Sequence, residues 1–146
     1  MTMRILAVFA FLTLVATSFA QSRPQGTFWL GTSIMYETPW QPDQNYTFGF
    51  GFAPVVRDRG SRNDARFGLA FEADFYQDRQ PRGLAIVGRI GLVDGGIYGA
   101  PGVYYVSRPR DTKDISFRAG ALAPFGSLQD GDLLPWILEL AVGFRF

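Results

Sequence analysis

Residues 133–146 read Leu-Leu-Pro-Trp-Ile-Leu-Glu-Leu-Ala-Val-Gly-Phe-Arg-Phe. Leu134, Trp136, Leu138, Leu140, Val142, Phe144 and Phe146 form one unbroken apolar or aromatic row, and Ile137, Glu139, Ala141, Gly143 and Arg145 alternate with it. A period of two is the period of a β-strand, whose successive side chains leave on opposite faces. One face of this strand is therefore wholly apolar, while the other carries an acid and a base among small residues. Its last residue is an aromatic, where a chain terminus is ordinarily frayed and polar. At about 3.4 Å per residue, Trp136 and Phe146 stand roughly 34 Å apart, which a tilt of about 40° projects to about 26 Å, close to the apolar band that a membrane barrel presents. That places Trp136 and Phe146 at the two interfaces of a membrane.

The same alternation extends upstream. Tyr46, Phe48, Phe50 and Phe52 share one face of a strand whose other face is Thr47, Gly49, Gly51 and Ala53. Phe67, Leu69, Phe71, Ala73 and Phe75 then alternate with Gly68, Ala70, Glu72, Asp74 and Tyr76. A soluble sandwich also alternates, so periodicity alone does not decide the architecture. The small residues do: a strand face turned to water favours Thr, Lys, Glu and Gln, whereas Gly and Ala weaken a strand unless space on that side is short. The interior of a barrel of about eight strands is such a place.

Polar connectors divide the chain into seven readable strands: Thr27 to Glu37, Asn45 to Val56, Ala65 to Gln77, Gly83 to Val93, Gly96 to Ser107, Ile115 to Phe125 and Leu133 to Phe146. A single-chain bacterial barrel has an even number. The expectation is an all-β, closed antiparallel up-and-down transmembrane barrel of eight strands, with six or ten as alternatives. The unseen strand is sought in Gly83 to Ser107 or before Thr27. Tyr36, Tyr46 and Phe75, near strand ends, are further candidates for the interfacial girdles.

Composition narrows the function. The chain holds 14 Lys and Arg against 13 Asp and Glu. Once Arg4 is set aside with the leader, the remainder is formally neutral, which disfavours a nucleic-acid partner. Lys113 is its single lysine, and aromatics make up 16% of the chain, a composition with little colloidal protection in water. The absence of Cys and His removes disulfides, thiolate and imidazole metal ligands, the lipid-anchoring thiol, and the usual general base. No enzyme activity and no cofactor are expected. At the other end, Arg4 followed by the apolar run Ile5 to Ala16 and by Ser18-Phe19-Ala20 reads as a secretory signal cut before Gln21, leaving residues 21–146 as one barrel domain.

Leu140-Ala141-Val142-Gly143-Phe144-Arg145-Phe146 resembles the C-terminal signature of bacterial outer-membrane β-barrels, and the ending is similar to that of small OmpA/OmpX-type barrels. The close likeness covers about ten residues. It implies export to the outer membrane, outer-membrane lipid as the surrounding solvent, and recognition of the last strand by the barrel-assembly machinery through Gly143, Phe144 and Phe146. It implies no activity.

Opposite the apolar rows lie Glu72, Asp74, Arg89, Arg118, Glu139 and Arg145, three acids and three bases. In a narrow interior such charges are tolerated if paired, so a network that plugs the barrel is expected, with an ion-conducting constriction as its alternative. Glu72 and Asp74 have no accompanying ligand cluster that would make them a calcium or catalytic pair. Thr38-Pro39-Trp40-Gln41-Pro42 and Ser107 to Lys113 are the connectors offering contact surfaces for an unknown loop ligand. Three functions stay open: a structural, adhesive or protective envelope barrel; a narrow pore or hydrophobic-ligand conduit; and a soluble lipocalin-like or β-sandwich binding protein.

Overall fold

The computed structural model describes residues 26–41, 43–58, 63–108, 115–127 and 132–145. The candidate leader 1–20 and Phe146 lie outside them. Ten strands form one sheet: β1 (Thr27–Gly31), β2 (Ile34–Glu37), β3 (Tyr46–Asp58), β4 (Asn63–Tyr76), β5 (Gly83–Val93), β6 (Gly96–Ser107), β7 (Ile115–Leu122), β8 (Phe125–Ser127), β9 (Asp132–Leu133) and β10 (Ile137–Arg145). Neighbours in sequence pair antiparallel from β1 through β7, β7 pairs β10, and β10 returns to β1. Eight strands thus close an up-and-down barrel, with β8 prolonging β7 along β6 and β9 as an extra strand.

The eighth strand comes from the stretch read as one, Thr27 to Glu37, and not from Gly83 to Ser107 or from the segment before Thr27. The chain reverses at Thr32 and Ser33, so that Thr27 lies opposite Glu37 and Leu30 opposite Ile34. The turn signal there is only the short Gly31-Thr32-Ser33 step between apolar residues on either side, which is easily read as part of one strand. Thr32 is tied to the final strand: its N–H donates to the Leu140 carbonyl at 2.9 Å, and its hydroxyl accepts the Leu140 N–H at 3.1 Å. A side chain there stands in for a missing strand neighbour.

Two further details follow from backbone chemistry. Asp94 and Gly95 take φ of 45° and 77°, the left-handed values that a two-residue hairpin requires and that Asp-Gly supplies. The β7–β10 ladder ends at Leu122 and Ile137. Carried on, its register would set Pro124 against Pro135, and neither has an N–H to give. The connector peels away from there, and Asp132–Leu133 pairs instead with Arg57 and Asp58 of β3, beyond the reach of the short β1–β2 hairpin.

The outward face is apolar all the way round. Leu30, Ile34, Phe48, Phe71, Ile86, Tyr105, Phe117 and Leu140, one from each barrel strand, are exposed, Phe71 at 58% and Ile86 at 64%. Inside, small residues make room for large ones. A Cβ on Gly143 would stand 2.7 Å from the Trp29 ring, and Cβ atoms on Gly120 and Gly91 would strike the rings of Tyr104 and Tyr98. The inward Gly and Ala therefore seat aromatic side chains that cross the lumen.

Candidate functional site

The interior is divided along the barrel axis. Toward the end opposite the chain termini it is filled by Ala53, Val55, Ala70, Val93, Tyr98, Ala100, Leu122 and Ile137, all buried. Its middle and the half nearer the termini hold the buried carboxylates with Arg89 and Arg118, and Arg57 is buried at the opposite end. Strand alternation puts Glu72, Arg89, Arg118 and Glu139 on inward positions of β4, β5, β7 and β10, each at most 3% exposed.

These four form a closed square in which each guanidinium bridges both carboxylates. Arg89 reaches Glu72 at 2.7 Å and Glu139 at 3.3 Å, and Arg118 reaches the same two at 2.9 and 3.0 Å. The Tyr104 hydroxyl donates to Glu72 at 2.9 Å and accepts from Arg89 at 2.8 Å. Ser33, in the β1–β2 turn, donates to Glu139 and accepts from Arg118 at 3.2 Å. The Arg118 guanidinium also lies over the rings of Trp29 and Tyr104, 4.9 and 4.8 Å from their centres, within cation–π range. Every carboxylate oxygen of the square is engaged, as buried carboxylates require, while Arg89 Nη1 and Arg118 Nε are buried without a hydrogen-bond partner.

A second cluster lies toward the termini. Glu37 accepts from Trp29 Nε1, from Tyr76 at 3.2 Å and from Arg108 at 3.2 and 3.3 Å. Arg108 also donates to Thr27 and to the Pro81 carbonyl, so it draws the ends of β1, β2 and β6 and the β4–β5 connector together across the mouth. At the opposite rim Arg57 pairs with Asp94 at 3.0 Å.

Of the six charges expected inside, four meet. Asp74 is buried and inward, but no ion pair reaches it among the described residues. Arg145 continues the inward row of β10, but the strand ends there and it is exposed, so it is no member of the square. Glu37, Arg108, Tyr104, Trp29 and Ser33 were not legible as partners. Glu37 and Arg108 look like strand-end or connector charges until the β1–β2 turn and the barrel's closure place them inside. Tyr104 and Trp29 look like ordinary apolar strand residues.

The interface aromatics fall as follows. Tyr46 lies at the terminus-side start of β3, its ring 6.2 Å from Phe75. Tyr36 packs at 5.4 Å against Phe50. Trp136 is exposed at the opposite end of the barrel, just before β10. Gly143 is covered by Trp29, and Phe144 faces outward. Trp40 is not free in its connector, since its Nε1 donates to the Gln44 carbonyl at 2.7 Å. No group of three or more acidic side chains able to hold a metal occurs among the described residues. No protein family, no curated protein and no solved structure matches this chain.

Proposed function

We propose that this protein is an integral outer-membrane β-barrel with a closed, side-chain-filled interior, serving a structural, adhesive or protective role at the cell envelope. One observation carries the reading: large apolar side chains are exposed on all eight barrel strands while Glu37, Glu72, Asp74, Arg89, Arg118 and Glu139 are buried inside, and the exposed strand charges Asp58, Arg66 and Arg145 lie toward the strand ends, the reverse of a water-soluble protein. Lipid is the solvent that such a surface fits, and a closed barrel leaves no unpaired strand edge running through it. The Glu72–Arg89–Arg118–Glu139 square, with Tyr104 and Ser33, spans the lumen from strands on different sides, and Arg108 and Glu37 form a second layer. Two such layers favour a plug over a pore. The leader-like residues 1–20 and the ending Gly143-Phe144-Arg145-Phe146 support export and delivery by the barrel-assembly machinery.

The test is fractionation of cells expressing the full chain, with the membrane fraction run unboiled and boiled on cold semi-native gels, followed by reconstitution in planar bilayers. The expected result is an envelope protein with a heat-modifiable band and no stepwise conductance. A soluble periplasmic species without a band shift overturns the membrane reading and favours a soluble carrier; steady channels overturn the plug alone.

A further inference from the structure

On the side of the chain termini the β3–β4 ladder ends with Tyr46 opposite Phe75. Just past it the Tyr76 N–H donates to the Asn45 carbonyl at 2.7 Å and the Gln77 N–H to the Leu84 carbonyl at 3.1 Å, so the connectors that precede β3 and follow β4 are held side by side at the rim. Between them lies a cavity of about 320 Å³, lined by Asp43, Asn45, Gln77 and Arg79. One acid, one base and two amides therefore face a common space. Among the described residues no ion pair or side-chain hydrogen bond engages any of the four. Other charges toward the barrel ends are paired: Arg66 with Asp64 at 2.8 Å, Arg57 with Asp94 at 3.0 Å and Arg108 with Glu37 at 3.2 Å. Next in the wall, on outward positions, Phe48 and Phe75 are exposed, and the Tyr46 ring packs against both.

We infer that this cavity binds the headgroup of a phospholipid of the phosphoethanolamine class, with Arg79 on the phosphate and Asp43 on the primary ammonium. A lone anion placed there would meet Asp43, and a lone cation Arg79; a zwitterion whose two charges are a few bonds apart satisfies both. The guanidinium presents paired N–H donors that match phosphate oxygens. Asn45 and Gln77 each carry a donor and an acceptor and so serve either charge. A choline head has no N–H for Asp43 and is ordinarily held by an aromatic cage, whereas no ring lines this cavity. The neighbouring aromatics select a lipid as the source. In membrane barrels aromatic girdles stand at the level of the headgroups, so a polar cavity immediately beyond Tyr46 and Phe75 lies at headgroup depth, and Phe48 and Phe75 line the way the acyl chains take. A lipid ligand presupposes the membrane reading and narrows it to one headgroup chemistry.

The test uses the protein folded in detergent micelles and titrated with short-chain phosphatidylethanolamine, phosphatidylcholine and phosphatidylglycerol, the lipid retained being counted by native mass spectrometry. One phosphatidylethanolamine per barrel is expected to be held roughly tenfold more tightly than either other lipid. Arg79→Gln is expected to weaken that binding roughly tenfold, Asp43→Asn to abolish the preference over phosphatidylcholine, and Arg66→Gln at the opposite end to change neither. All three positions are exposed, so the substitutions leave the packed interior untouched. Equal retention of the three lipids overturns the proposal, as does wild-type behaviour of Arg79→Gln or of Asp43→Asn. An equal loss in Arg66→Gln overturns it by reducing the effect to overall charge. Displacement of the lipid by equimolar soluble phosphoethanolamine overturns the lipid source and assigns the cavity to a free zwitterion. Failure of the membrane reading is seen separately, as a soluble species in fractionation.

Discussion

Arg118 is the most heavily committed side chain of the interior, held by Glu72, Glu139 and Ser33 and stacked between Trp29 and Tyr104. Its removal leaves two buried carboxylates to share Arg89. Arg118→Met is therefore expected to destabilise the folded barrel by about 3–5 kcal/mol, read from urea unfolding in lipid vesicles. On the opposite face, Phe71 is exposed next to Glu72, near the middle of the barrel wall. If lipid surrounds it, Phe71→Arg costs about 2–4 kcal/mol in a bilayer. If water does, the same change is neutral or improves solubility, so vesicle unfolding of this one variant separates the two environments. That Phe71 faces out and Glu72 in was legible from alternation, because both lie in one long uninterrupted strand. Which base meets Glu72 was not, since Arg118 is remote in sequence and two strands of intervening register had to be fixed first.

The first hairpin is the element that sequence periodicity concealed. The turn at Thr32 and Ser33 is signalled only by the brief Gly31-Thr32-Ser33 step, with no Pro and no Asn-Gly or Asp-Gly pair of the kind seen at Asp94-Gly95, so Thr27 to Glu37 reads as one strand. What makes the turn acceptable is tertiary: the Thr32 hydroxyl and N–H bind the backbone of Leu140, and Ser33 joins the central network. Thr32→Ala strands the Leu140 N–H in the barrel wall and is expected to cost about 1–3 kcal/mol, whereas Thr32→Ser keeps the hydroxyl and restores stability in the same unfolding assay. The last strand shows the complementary case. Its apolar row and its alternation are plain in the sequence, but its start at Ile137 is set by the prospective pairing of Pro124 with Pro135, a constraint visible only once the β7–β10 register is known.

At the scale of the molecule, both described chain ends, Gly26 and Arg145, lie at one end of the barrel, with the strand ends Glu37, Tyr46, Tyr76, Gly83, Ser107 and Ile115; the strand ends Gly31, Ile34, Asp58, Asn63, Val93 and Gly96 lie at the other. Apart from the 123–136 region, the shorter turns are thus at the end away from the termini, whereas membrane barrels ordinarily keep their short turns on the periplasmic side. The absence of native cysteine makes orientation directly measurable. With the termini in the periplasm, Asn63→Cys is expected to react with a membrane-impermeant maleimide on intact cells and Arg79→Cys only after lysis; the reverse pattern inverts the orientation. The sequence by itself determined the all-β class and the face each side chain of the long strands takes, because these depend on a local period of two. It also supplied the leader-like and C-terminal motifs, which are contiguous. The strand number, the seating of Glu37 and Arg108 in the mouth, the pairing of each guanidinium with two carboxylates and the isolation of Asp74 were decided only by the closed barrel, because closure sets the register between strands and brings residues distant in the chain across a shared lumen.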